Sequence, residues 1–152
     1  MKITQALLDE LTAQAKTSPR LRMNYDLRNS AEDASQRMLN AIEPGSPLPI
    51  HRHRATSETV VCLRGRLVEE YYREVQGSSS SEAAKPSAGF NVRGLKAELV
   101  ESIELSPDGP VVALNIPAGQ WHTVRALESG TVLIEMKDGP YEPLGQEDML
   151  TL

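Results

Sequence analysis

The chain has 152 residues, 39% of them hydrophobic and 24% charged, which is the length and composition of one globular domain with a buried core. Its net charge of −5 and pI near 5.2 argue against nucleic acid or an anionic membrane surface, since both select basic patches. An anionic small molecule stays open, because a few local arginines can bind one whatever the total charge.

Cys62 is the only cysteine, so no intrachain disulfide can form. Its neighbours, Val60-Val61-Cys62-Leu63, make it a buried apolar side chain rather than a nucleophile. The first residues lack a long apolar run, and no stretch reaches the length of a membrane span. A cytoplasmic protein is the expectation.

In chain order, Ile3, Leu7, Leu8, Leu11 and Ala15 recur at helical spacing, with Thr4 as N-cap and Thr17-Ser18-Pro19 as the stop. The apolar stripe predicts a helix over Thr4–Lys16 docked on the domain or on a partner subunit. Residues 20–34 show no periodicity and read as an irregular connection. Short strands punctuated by Gly and Pro follow: Arg37–Ile42, Glu58–Leu63, Leu67–Tyr72, Val111–Ile116, Trp121–Ala126 and Thr131–Lys137. The Ser-rich stretch Gln76–Gly89 reads as a mobile surface loop. Lys96–Leu105 alternates as a strand does, although its first residues also suit a helical turn; the all-β context favours the strand. The expected organisation is a helix and connection over 1–34 and a β-barrel over 35–152, within one structural domain.

The three histidines carry the chemistry. His51 and His53 are two apart, so on a strand both imidazoles face the same side. Glu58 opens the next apolar run, and His122 starts a later strand behind the corner Pro117-Ala118-Gly119. Spacing alone leaves two alternatives, a metal site and ordinary hydrogen-bonding histidines.

The run Gly45, His51, His53, Glu58, Gly65 resembles the first cupin motif at every fixed position. Pro117, Gly119 and His122 are similar to the second. Gly109 stands eight residues before Pro117, where the family has six, and Ala126 replaces the usual Asn; neither position is a metal ligand. The segments Ser18–Tyr25 and Gln36–Gly45 resemble, more closely, the WbuC-type cupin-fold metalloproteins.

The resemblance implies an all-β cupin double-stranded β-helix, a jelly-roll small barrel with an N-terminal α-helix. It implies one divalent transition metal per chain held by His51, His53, Glu58 and His122. It further implies a bacterial protein often found with surface-polysaccharide genes. Three imidazoles and a carboxylate leave coordination positions open, which marks a working site rather than a closed structural one. Such ligands suit Fe, Mn, Ni, Co or Zn.

Other site residues are Arg20, Arg22 and Tyr25, which could lid the barrel and bind an anionic group, with Arg28 as a further cation on that segment. Arg37 and Asn40 have odd spacing, so at most one faces the cavity. An acid or base beyond the ligands would come from Glu43, Glu69, Glu135 or Tyr25. Trp121 is expected on the face of its strand opposite His122, and Tyr71 and Tyr72 read as sheet residues.

Three functions follow: a metalloenzyme acting on a sugar, sugar nucleotide or related polar metabolite by isomerase, epimerase or lyase chemistry; an Fe(II)-dependent dioxygenase; and a non-catalytic sensor or binding module. The expected partners are a small, anionic ligand and a second copy of the chain in a homodimer.

Overall fold

A computed structural model of the chain describes residues 1–76 and 95–150. Helix α1 spans Gln5–Thr17; the Thr4 hydroxyl accepts from the Leu7 N–H at 3.3 Å, and the Ser18 N–H closes the C-terminus on Gln14 O. Leu8, Leu11 and Ala15 are buried against Leu39, Ala41 and Val132, so the apolar stripe covers one face of a sheet.

Ten strands follow: β1 Arg22–Asp26, β2 Ser35–Ile42, β3 Ile50–His51, β4 Glu58–Arg64, β5 Leu67–Gln76, β6 Leu95–Leu105, β7 Ala113–Ile116, β8 Trp121–Ala126, β9 Thr131–Asp138 and β10 Met149–Leu150. They form two five-stranded antiparallel sheets, ordered β1-β2-β9-β4-β7 and β10-β3-β8-β5-β6. With sequential strands distributed between two facing sheets, the fold is the cupin jelly roll.

Three readings from the sequence are corrected or completed here. Residues 20–34 are not irregular throughout, because Arg22–Asp26 pairs along β2 from Arg22↔Ile42 to Asp26↔Met38. An edge strand with Met23 under the helix and polar residues on its other face shows no clean alternation of hydrophobicity. Residues 96–105 lie within strand β6, which pairs along β5. The Ser-rich stretch lies outside the described residues, apart from Gln76 at the end of β5.

The inner faces of the two sheets are graded along their length. At one end Ile42, Val60, Cys62, Leu67, Leu105, Ala126 and Leu133 form a closed apolar core. Two residues further along the same strand faces stand Asn40 on β2, Glu58 on β4, Glu69 on β5 and Glu135 on β9. A side-chain period of two therefore turns an apolar floor into a polar chamber without any change of backbone. Cys62, 3% exposed, belongs to the floor, and burial raises its thiol pKa. Among the described residues, no helix is long and apolar enough to cross a membrane.

Candidate metal centre

His51 sits on the two-residue strand β3, which is held on both sides. Its cross-strand partner on β8 is His122, and Met149 of β10 pairs with it from the other edge. Arg52, between the two histidines, points outward. Its guanidinium bonds Asp148 at 2.7 Å and Glu74 at 3.0 Å and lies over the Trp121 ring, 4.4 Å from the centroid. Arg54 bonds the same Asp148 at 2.7 Å. These clamps secure a strand too short to hold itself. Trp121 lies on the outer face with Ile50 and Leu150, opposite the neighbouring His122.

The Gly119 N–H donates to His53 O at 2.7 Å, which binds the second motif to the first. Ala126, in place of the usual Asn, is buried in the apolar floor, and the early Gly109 closes its own turn through Ser106 O at 3.2 Å. Both departures are absorbed away from the ligands.

The structure brings together one potential donor atom from each of His51, His53, Glu58 and His122, all within 4.8 Å of one another. Ligands at roughly 2.1 Å from a common ion stand about 3–4 Å apart, so the cluster is close to the spacing that an ion would impose. His51 Nδ1 faces Pro49 O at 3.3 Å and His122 Nδ1 faces Gln120 O at 3.0 Å. A carbonyl only accepts, so each Nδ1 carries the hydrogen and each Nε2 presents a lone pair. His122 Nε2 is buried with no hydrogen-bond partner, as a nitrogen kept for an ion would be. His53 Nε2 lies 3.0 Å from Glu58 Oε2, a contact that an ion between them would replace. The donor set fits a divalent transition metal.

The electrostatics favour the ligating forms. Burial, then the neighbouring His122, depress the His51 pKa to about 4, and burial also lowers that of His122. Burial opposes ionisation of Glu58, but the His53 hydrogen bond and the nearby imidazoles outweigh it and lower its pKa.

Two further carboxyls line the same chamber, Glu69 and Glu135. Burial, then the charge of Glu58, push Glu135 up to about 8 and Glu69 well above the usual carboxylate range. A depressed His51 stabilises the fold fully above pH 6.5, and this is lost as pH falls towards 4. A raised Glu135 contributes stability present below pH 4.5, which is lost as pH rises through 8. Between pH 6.5 and 8 only the carboxyls change, both in the same direction. The metal-free protein is therefore expected to lose about 2 kcal/mol over that window, at ~1.4 kcal/mol per pH unit for Glu135. Denaturant titrations of wild type and Glu135→Gln check this: the variant's stability should be flatter, and a wild-type stability rising with pH would contradict the assignment.

The remaining candidates divide by strand parity. The chamber, with a volume near 510 Å³, is lined by Arg20, Arg22 and Asn40, but not by Tyr25, Arg28 or Arg37. Tyr25 and Arg37 share the outward parity of Leu39 and Ala41, the residues under the helix. Arg37 bonds Asp33 at 2.7 Å and Arg28 bonds Asp26 at 2.7 Å, so both guanidiniums are engaged outside. Arg22 is anchored on Pro47 O at 2.7 Å, beside the mouth. Glu43 accepts from the Gly130 N–H at 2.8 Å and serves the turn rather than the chamber. Lys137, Met38 and the C-terminal segment Tyr141–Leu144 also line the mouth, and sequence reasoning missed them. Lys137 was recoverable by counting in twos from Leu133 through Glu135; the C-terminal segment carries no such signal.

The model of a family described as a domain of unknown function, DUF6016, matches residues 3–83, more than half of the chain. The chain belongs to this family. No curated protein matches the sequence. Among solved structures, this DUF6016 chain is similar to KdgF from Halomonas sp., at 15% identity and a TM-score of 0.50, covering 83% of this chain and 85% of that one. It is similar to the capsular polysaccharide assembling protein CapF from Staphylococcus aureus, at 19% identity and a TM-score of 0.54. That match covers 90% of this chain but only 33% of CapF, so the DUF6016 chain spans about a third of its length. L-ribose isomerase from Cellulomonas parahominis matches at 13% identity and a TM-score of 0.53, covering 99% and 92% of the two chains. At these identities the likeness is one of fold.

Proposed function

We propose that this chain is a divalent-metal-dependent enzyme acting on a sugar, sugar nucleotide or related polar metabolite by isomerase, epimerase or lyase chemistry. The WbuC-type resemblance and a role in surface-polysaccharide synthesis belong to the same proposal. The observation that carries it is the content of the chamber. Four convergent donors share one cavity with two carboxyls outside the cluster, buried Glu69 and half-buried Glu135, so both a site for a Lewis acid and proton-transfer groups are at hand. A binding module needs only the first. A bound metal would polarise a carbonyl or hydroxyl oxygen of the ligand. The sugar class is supported by the names of two similar structures, a capsular polysaccharide assembling protein and an L-ribose isomerase.

Arg20, Arg22 and Lys137 at the mouth support an anionic group on the substrate, such as a carboxylate or phosphate. Tyr25, Arg28 and Arg37 are withdrawn from that role. Elemental analysis of protein purified without added metal, followed by a thermal-shift screen against sugar nucleotides, sugar phosphates and sugar acids, tests the reading. Zinc or manganese with a stabilising sugar ligand supports it. Dominant iron with oxygen consumption would support the dioxygenase instead, and absence of metal would refute both.

The homodimer is part of this proposal. Helix α1 lies on the outer face beside the edge strand β1, and deleting residues 1–17 uncovers Leu39, Ala41 and Val132. The truncated protein is expected to be less stable or altered in assembly. A monomeric wild type in light scattering at micromolar concentration would refute the dimer.

A further inference from the structure

Among the described residues, two buried side-chain polar atoms lack a hydrogen-bond partner: His122 Nε2 and Glu69 Oε1. An ion at the ligand cluster explains the first and leaves the second. Glu69 is 1% exposed, on the inner face of β5, opposite Val124 and two residues from the Tyr71–His122 pair. Among the described residues no arginine or lysine is ion-paired with it, and an isolated carboxylate at such depth is far costlier than the neutral acid. The chain therefore holds a carboxylic acid at the chamber wall with an oxygen that none of the described residues uses.

Glu135, across the same chamber on β9, is placed differently. The Asn40 side chain hydrogen-bonds it and Lys137 stands two residues along on the same face, and both favour its ionised form. Burial raises both carboxyls, but only Glu135 has neighbours that partly offset it, so of the two Glu135 is the better suited to act as base and Glu69 as acid.

We propose that Glu69 and Glu135 are an acid–base pair that moves a proton on an α-hydroxy carbonyl substrate, an aldose, ketose or sugar acid seated between them and the ligand cluster. This deepens the reading of the previous subsection and rests on it. The Glu135 carboxylate takes the proton from the hydroxyl-bearing carbon beside the carbonyl. The C–H electron pair becomes the C=C bond of an enediol, the carbonyl π pair moves to its oxygen, and that oxygen takes the proton of Glu69. In the second half the other enediol hydroxyl returns a proton to Glu69, and Glu135 delivers its proton to the former carbonyl carbon. No net proton or electron is gained or lost.

The test uses the full chain loaded with Mn(II) or Zn(II), its metal content measured first. Wild type, Glu69→Gln and Glu135→Gln are incubated in D₂O with dihydroxyacetone, the aldopentoses and the hexuronic acids, and loss of the α C–H signal is followed by NMR. Wild type is expected to exchange at least one of these compounds above the protein-free background. Each variant is expected to exchange about a hundredfold more slowly, at unchanged metal content. Metal-loaded wild type with no exchange on any of the compounds overturns the pair, as does either variant exchanging at the wild-type rate. A wild type that takes up no metal refutes the underlying reading, and the pair with it. Glu135→Gln alone keeps the test decisive if Glu69→Gln does not fold.

Discussion

If wild type carries the proposed single divalent ion per chain, the His51→Ala/His53→Ala double variant is expected to purify without it. Removing even an outer-shell partner of a metal ligand costs about 10–100-fold in affinity, and this variant loses two of four donors together. The two remaining donors, Glu58 and His122, lie on different sheets, so no chelating strand pair is left. Elemental analysis and isothermal titration with Zn(II) read the result directly. The fold should survive, because the ion pairs of Arg52 and Arg54 with Asp148 hold this segment independently of the imidazoles. A double variant that holds metal and melts like wild type would remove the ground for the proposed function.

The Gly65→Ala variant is expected to be destabilised by about 3 kcal/mol while still binding metal when folded. Gly65 is the last fixed glycine of the first motif, seven positions after Glu58, yet its constraint is steric. Its φ is +75°, where a side chain costs about 1–2 kcal/mol. An added Cβ would also lie 2.5 Å from Thr131 Oγ1 and 2.9 Å from Thr131 Cα, so backbone must shift. That displacement endangers the Thr131 hydroxyl's bonds to Arg66 O and Glu128 O at 3.0 and 2.8 Å, each worth about 1 kcal/mol. At roughly 3 °C per kcal/mol for a chain of this size, the melting temperature should fall by about 9 °C. An unchanged melting temperature would mean the turn relaxes freely; lost metal binding in the folded variant would place Gly65 in the site itself.

These two variants separate what the motif's residues do. The histidines, with one glutamate, are the proposed donors, whereas the glycine fits two strands together. Motif spacing alone treats them alike.

The linear sequence already contained the fold class and the location of the chemistry. Helix α1 was legible because a 3.6-residue stripe and a capping threonine are local properties. The candidate ligand positions were legible because the cupin pattern names His51, His53, Glu58 and His122, although of the first two only His51 lies in a strand. Arg22–Asp26 was not legible as a strand, since an edge strand between a helix and a polar chamber has no apolar alternation to reveal it. Nor were Ile50–His51 and Met149–Leu150, two-residue strands formed by pairing between residues about a hundred positions apart.

The sorting of the remaining polar residues was decided by three-dimensional packing. Tyr25 and Arg37 turned outward and Asn40 inward because the helix occupies one face of β2, and that choice of face sets the parity of its neighbours. Glu43, Glu69 and Glu135 look equivalent in the linear chain. The closing of the barrel left one as a turn support and set two on the chamber wall, neither in an ion pair among the described residues. Burial, not residue type, makes a carboxyl a reactive acid or base, and burial is a property of the two sheets together.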